Sequence, residues 1–110
     1  MSIPSIRVRP GEEDVAMIIV SGRIYVAPGQ REGFLASSRG AVIQARRAPG
    51  CRDFVVAPDP IEPDRVNVYE EWDSDTQLEA FRGAGPEPEM TQVIERAEVS
   101  RHRVALSEPA

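Results

Sequence analysis

The sequence has few of the residues that commonly cross-link a small protein, bind a structural metal ion or hold a protein in a membrane. It has one cysteine, Cys51, which cannot form an intrachain disulfide and cannot by itself hold a structural zinc ion. No apolar run approaches the ~18 residues needed to span a bilayer, and the amino terminus lacks the apolar core of a signal peptide. We therefore expect a cytoplasmic protein with no metal site, whose fold is held by neither a disulfide nor a metal ion.

Lysine is also absent: all 13 basic residues are arginine, and 18 acidic residues leave a net charge of -5. A net negative charge disfavours a general nucleic-acid binder. The sequence contains no GxGxxG or P-loop, no HExxH, no CxxC pair and no GxSxG elbow. These absences remove support for dinucleotide, phosphoryl-transfer, zinc-hydrolase and serine-hydrolase functions.

The composition is that of one globular domain. A chain of 110 residues can build a single core and hardly two, and 41% hydrophobic with 28% charged residues is ordinary for a globular protein. The polar stretch 1–14, which contains two prolines and an acidic run, predicts a flexible N-terminal arm. We place the folded domain at residues 15–106 and a C-terminal tail at 107–110.

The hydrophobic pattern predicts the order strand, helix, strand, strand, helix, strand, with the second helix broken by the glycines and prolines of residues 83–88. This order fits an α+β fold of the ferredoxin-like, split βαβ type, in which a four-stranded antiparallel sheet has helices on one face. The predicted strands are Met17–Ala27, Cys51–Ala57, Arg65–Trp72 and Val99–Leu106. The predicted helices are Gln30–Ala48, a helix after Trp72 that carries Leu78 and Phe81, and Met90–Ala97.

The segment from Arg65 to Phe81 is the most informative, because a strand with the only tryptophan leads directly into a helix. At the two-residue strand period, the tryptophan shares one face with a glutamate and two valines, and we expect that face to point inward. Asp73 or Ser74 can then cap the helix. The inward face consists of Val66, Val68, Glu70 and Trp72.

The sheet face opposite the helices also needs a cover. It would leave a sizeable apolar patch in water if the chain were monomeric. A second sheet can cover such a patch, so we expect a two-fold homodimer formed by sheet-on-sheet packing. The apolar residues expected on this face are Ile19, Tyr25, Val55, Tyr69 and whichever of Val104 and Leu106 shares it.

Four features together resemble the antibiotic biosynthesis monooxygenase superfamily. They are the sheet order, the PGQ turn that opens the first helix, the Glu70-x-Trp72 strand end, and the acidic turn with LEAF that follows. The resemblance covers residues 17–106 and implies a dimeric α/β barrel of ferredoxin-like subunits. In this resemblance Trp72 matches the family's strand-end aromatic residue.

The family's better characterised members oxygenate quinols or polyketide aromatics without metal or flavin, and a related branch degrades haem. The resemblance therefore implies a cofactor-independent monooxygenase acting on an aromatic or quinol-type small molecule. Phe81 stands where relatives often carry histidine or tryptophan, and residues 82–90 lack a histidine that many relatives have. These departures argue against haem ligation. They favour the alternative, a non-catalytic dimeric domain that binds a hydrophobic small molecule or serves as an interaction module.

Oxygenation without a cofactor needs a base and a dry, aromatic-walled pocket. Trp72, Phe34 and Phe81 could bind the substrate by stacking, and Glu70 is the candidate base if burial raises its pKa. Each residue also has a structural interpretation. Phe34 and Phe81 could be core, and Trp72 could fill the core or the dimer interface. Glu70 could pair with an arginine from a neighbouring strand or subunit.

His102 and Arg23 complete the candidate catalytic residues. His102 is the only side chain whose ordinary pKa lies near neutrality, and it faces the same way as Val104 if the last strand is regular. Arg23 could bind a phenolate or enolate oxygen. The alternatives are a non-catalytic strand histidine flanked by two arginines, and an arginine that closes an ion pair across the dimer.

Overall fold

A computed structural model describes residues 15–83 and 91–110. The predicted arm at 1–14, most of the predicted helix break and Met90 lie outside the described residues, so the domain limits stay predictions. The strands are β1 (Met17–Val26), β2 (Cys51–Pro58), β3 (Arg65–Trp72) and β4 (Ile94–Val104), and the helices are α1 (Arg31–Arg47) and α2 (Asp75–Arg82). No helix among the described residues is long and apolar enough to cross a membrane.

The four strands form one antiparallel sheet in the order β2-β3-β1-β4. β3 therefore lies between the two strands that flank α1, as the split βαβ pattern requires. The predicted α+β fold of ferredoxin-like type is confirmed. In the register, Glu70 of β3 stands opposite Val20 of β1 and Phe54 of β2, so its cross-strand neighbours on both sides are apolar.

Strand β3 shows the predicted alternation without interruption. Val66 and Trp72 are fully buried, and Val68 and Glu70 are 9% and 7% exposed. The three residues between them are only half-buried. The sequence therefore predicted correctly which side chains of β3 face the helices.

The helices pack on one face of the sheet and build the core there. The main core cluster joins Ala45 of α1 and Leu78 of α2 to Ile18 and Trp72 of the sheet. Full burial of a side chain such as Leu78 stabilises the fold by about 2 kcal/mol. Ser74 is the N-cap of α2, since its Oγ accepts a hydrogen bond of 3.3 Å from the backbone N–H of Gln77.

The predicted helix Met90–Ala97 is wrong for its described residues beyond position 93, because β4 begins at Ile94. A register shift between Tyr25 and Val26 of β1 explains the error. Val26 pairs with Ile94 and Ile24 pairs with Ala97, so three steps along β4 correspond to two along β1. The extra residue of this bulge brings Ile94 and Ala97 to one face at a spacing of three, which imitates a helical period.

Candidate functional site

A cavity of about 410 Å³ lies between the helices and the sheet. Its size is within the range of ligand pockets, which is roughly 300–1,000 Å³. Most of its lining is aliphatic or aromatic, with a few polar side chains. The described lining residues are Ile24, Phe34, Ser38, Ala41, Gln44, Phe54, Val56, Val68, Glu70, Phe81, Arg82, Thr91 and Ile94.

Glu70 is the only carboxylate among the described lining residues. Burial raises the pKa of this carboxyl, because water is replaced by apolar neighbours that solvate the charged form poorly. A hydrogen bond from Trp72 and the positive charges of Arg82 and Arg101 act in the opposite direction and lower it. Among the described residues no arginine lies within ion-pair distance of Glu70, so the expected pairing with an arginine of a neighbouring strand is not observed, and pairing with an arginine of a second subunit stays a prediction.

Trp72 lies beneath the cavity and does not line it. Its side chain is fully buried, and its Nε1 donates a hydrogen bond of 2.9 Å to Oε1 of Glu70. Its ring packs against that of Phe81, with 5.4 Å between the ring centroids. Trp72 is thus a core residue that contacts both the Glu70 carboxylate and the Phe81 ring of the cavity wall.

Phe34 and Phe81 line the cavity, and Phe54 joins them. Phe54 and Phe81 meet edge to face at 5.7 Å between centroids. Sequence reasoning did not include Phe54 among the site residues. The alternation of β2 was the available signal, because it places Phe54 on the same face as Val56 and indicates an inward side chain. Arg82 was also missed, and its position in the last turn of α2, next to Phe81, was the available signal.

Arg23 and His102 lie on the other face of the sheet, away from Glu70. In the register, Arg23 pairs with Asn67 and His102 pairs with Ile19, whereas Glu70 pairs with Val20. Arg23 donates through Nε to Glu98 of β4 at 2.7 Å, so it closes an ion pair within the chain. His102 is exposed. The cavity thus brings together Glu70, Phe34 and Phe81 and leaves Arg23 and His102 outside.

The family model of antibiotic biosynthesis monooxygenase matches residues 17–96. The matched segment is most of the chain, from the first strand into the last. The chain therefore belongs to the antibiotic biosynthesis monooxygenase family. No protein with a curated description matches the sequence.

Solved structures with the same fold come from several organisms. The chain is similar to a conserved protein from Methanosarcina mazei Go1, with 18% identity, a TM-score of 0.73 and coverage of 82% of this chain and 94% of that one. It is similar to Rv0793 from Mycobacterium tuberculosis, with 19% identity, a TM-score of 0.70 and coverage of 86% and 99%. A protein from Chloroflexus aurantiacus J-10-fl, whose name provisionally assigns it to the same monooxygenases, shares 26% identity, a TM-score of 0.69 and coverage of 84% and 97%.

Proposed function

We propose that this chain binds an aromatic, quinol-type small molecule in the cavity and oxygenates it without a cofactor, with Glu70 as the base. The observation that carries the proposal is the position of Glu70. It is a buried carboxylate with a raised pKa, in the wall of an otherwise largely apolar cavity. A carboxylate of this kind is a stronger base than an ordinary one, because its protonated form is favoured by burial.

The aromatic wall supports the choice of ligand. Phe34, Phe54 and Phe81 come from α1, β2 and α2 and contribute to one cavity. Aromatic side chains bind aromatic ligands through stacked and edge-to-face contacts. The same wall keeps water away from a reactive intermediate.

The reaction uses dioxygen as the oxidant and is balanced without any other reagent. For an anthrone-like substrate, whose CH₂ form is in equilibrium with a tautomer that carries a phenolic hydroxyl group, Glu70 accepts the proton of that hydroxyl group. The resulting anion, which is the same as the one formed from the CH₂ group, transfers an electron to dioxygen. The radical pair joins to form a C–O bond, and the peroxide takes up the proton. The O–O bond then breaks as the second hydrogen leaves the carbon. The CH₂ group becomes C=O, and the other oxygen atom leaves as water.

Oxygen uptake tests the proposal. The protein is incubated in air with a panel of quinols and anthrone-like phenols, and the rate is compared with that of Glu70→Gln. We expect the variant to lose activity by about 10²- to 10⁴-fold, since it keeps the shape of the side chain and cannot accept the proton. Glu71→Gln is the matched control, because Glu71 is the next residue, faces the other side of the sheet and accepts from the Tyr69 hydroxyl. Equal loss in both variants would contradict the role of Glu70.

A second candidate function is non-catalytic binding of the same class of molecule. It is favoured by the absence of histidine from the described cavity lining, since the only histidine of the chain, His102, is on the opposite sheet face. Tight binding without oxygen uptake on any substrate of the panel would support this alternative.

The sheet face opposite the helices supports a further proposal. We propose that two chains form a homodimer in which these two faces pack together. Val55 and Tyr69 stand opposite each other on this face and are half-buried in the single chain. Sedimentation-equilibrium ultracentrifugation should give the mass of two chains. Val55→Asp should shift the equilibrium towards monomer, and Ile43→Asp, which adds the same charge to the exposed side of α1, should not. A monomeric wild-type protein would contradict the proposal.

A further inference from the structure

The two charged residues that line the cavity differ in their exposure to solvent. Glu70 is 7% exposed and sits in the wall at the sheet, whereas Arg82 lines the same cavity from the exposed last turn of α2. The aromatic rings of Phe54 and Phe81, which meet edge to face, line the same cavity. A ligand in the cavity can therefore contact a buried carboxylate and a guanidinium on the solvent-exposed part of the lining.

Arg82 differs from most arginines of the described chain in having its donors unused. Arg23, Arg52 and Arg101 each form an ion pair, and Arg31 donates to three backbone carbonyls. Within the described residues Arg82 makes no hydrogen bond or ion pair. Its guanidinium presents five N–H donors in a planar fork, so it is suited to bind a carboxylate or phenolate.

From this arrangement we infer that the ligand is a hydroxylated aromatic anion, with its anionic group at Arg82 and its hydroxyl group at Glu70. The inference rests on the proposed function, because it assumes that the cavity binds an aromatic molecule. The opposite orientation is unfavourable, since it would bury the anionic group beside the Glu70 carboxylate. With the anion at the exposed end, the charge stays near water and is paired, while the apolar ring occupies the aromatic part of the cavity. Arg82 is thus a specificity residue for the charge of the ligand.

A structural role for Arg82 would have a different signature. A cation in the last turn of a helix interacts favourably with the helix dipole, which affects stability. Such a role changes the melting temperature of the protein and leaves its preference between ligands unchanged. The test therefore compares two ligands that share a ring and a hydroxyl group and differ in charge.

Isothermal titration calorimetry without oxygen measures the binding of 2-naphthol, which is neutral, and of 6-hydroxy-2-naphthoate, which carries a carboxylate across the ring from its hydroxyl. The wild-type protein should prefer the carboxylate. Arg82→Gln should weaken binding of the carboxylate by about tenfold and of 2-naphthol by less than about twofold. Arg82→Lys should restore most of the loss. Arg39→Gln, which makes the same charge change at an exposed position of α1 outside the cavity lining, should leave both affinities within about twofold.

The outcomes separate the inference from the function on which it rests. If 2-naphthol binds and the carboxylate binds no better, the anion preference is overturned and aromatic binding stands. Equal weakening of the carboxylate by Arg82→Gln and Arg39→Gln would also overturn the inference, because it would reflect net charge alone. Failure of both ligands to bind would overturn the inference together with the aromatic-binding part of the proposed function.

Discussion

The indole Nε1 of Trp72 donates a hydrogen bond of 2.9 Å to Oε1 of Glu70, two residues earlier on the same face of β3. This bond fixes one oxygen of a buried carboxylate whose neighbours across the sheet are apolar. It also links the core to the cavity, since the same indole packs on Phe81. Glu70 can be a positioned base only if this support holds it in place.

Removal of the Trp72 hydrogen bond should raise the pKa of Glu70 further. Trp72→Phe keeps an aromatic ring in the core and deletes the donor, and this donor is the largest influence that lowers the pKa of Glu70. Carbon-13 NMR titration of the glutamate carboxyl groups measures the shift. We expect the variant to lose about 1–3 kcal/mol of stability as well, because a hydrogen bond and core volume are lost.

Tyr69→Phe is the control for that experiment. It deletes a hydrogen bond to the neighbouring Glu71 on the other sheet face. The pKa of Glu70 should not change in this variant. An unchanged or lowered pKa of Glu70 in Trp72→Phe would contradict the role given to the indole.

The stability of the protein should respond to the titration of Glu70. Because its pKa is raised in the folded state above the ordinary 4.5, the folded chain holds this proton more tightly than the unfolded chain. The contribution of Glu70 to stability is therefore greatest below its ordinary pKa and falls as pH rises through the raised value. Urea unfolding of wild type and Glu70→Gln between acid and neutral pH should show the variant gaining in relative stability as pH rises. A constant difference would contradict the raised pKa.

The stabilisation that Asp59 contributes should increase with rising pH, which is opposite to the dependence expected for Glu70. Its carboxylate accepts hydrogen bonds from the backbone N–H groups of Glu62 and Ile61 and from the Asn67 side chain, and these lower its pKa from 3.8 to about 2. The stabilisation is present above pH 3.8 and is lost as pH falls towards 2. Asp59→Asn should be less stable than wild type at neutral pH and should approach it in acid, as measured by urea unfolding. A difference that grows on acidification would contradict this account.

Gly22 should be essential for the pairing of β1 with β4. A Cβ atom at this position would lie 2.0 Å from the carbonyl oxygen of Glu98, a backbone atom that cannot move without breaking the strand pair. Gly22→Ala should therefore destabilise the fold by about 3 kcal/mol or more in thermal or urea unfolding. Gly40→Ala in α1, where the new methyl group meets open space, should be stabilising by about 0.5–1 kcal/mol. A neutral Gly22→Ala would show that the close approach is absent.

The sequence predicted those parts of the fold that depend on local pattern. The alternation of β3 placed Glu70 and Trp72 on the buried face, and the strand-to-helix junction limited the N-cap of α2 to Asp73 or Ser74, of which Ser74 is the cap. The beginning of β4 could not be predicted, because the bulge opposite Tyr25 and Val26 is a property of the pairing between strands distant in sequence.

The site was predictable only in part for the same reason. The parity of one strand does not fix its phase relative to another strand, so sequence alone could not show that His102 faces away from Glu70. Arg23 lies on the same face of β1 as Ile19 and Tyr25, which were expected opposite the helices, so its position away from Glu70 could be predicted. The position of Trp72 beneath the cavity depends on how α2 lies over β3, where Phe81 covers the indole. Packing decides which aromatic residue contacts a ligand, and packing is not a local property.

A crystal structure with 6-hydroxy-2-naphthoate bound tests the central claim most directly, because it locates the ligand relative to Glu70. We predict that the ring lies against Phe54 and Phe81, with its hydroxyl oxygen at hydrogen-bond distance, about 2.5–3.0 Å, from the Glu70 carboxylate. A ligand bound elsewhere on the molecule, or a cavity filled by side chains so that Glu70 touches no ligand atom, would contradict the account.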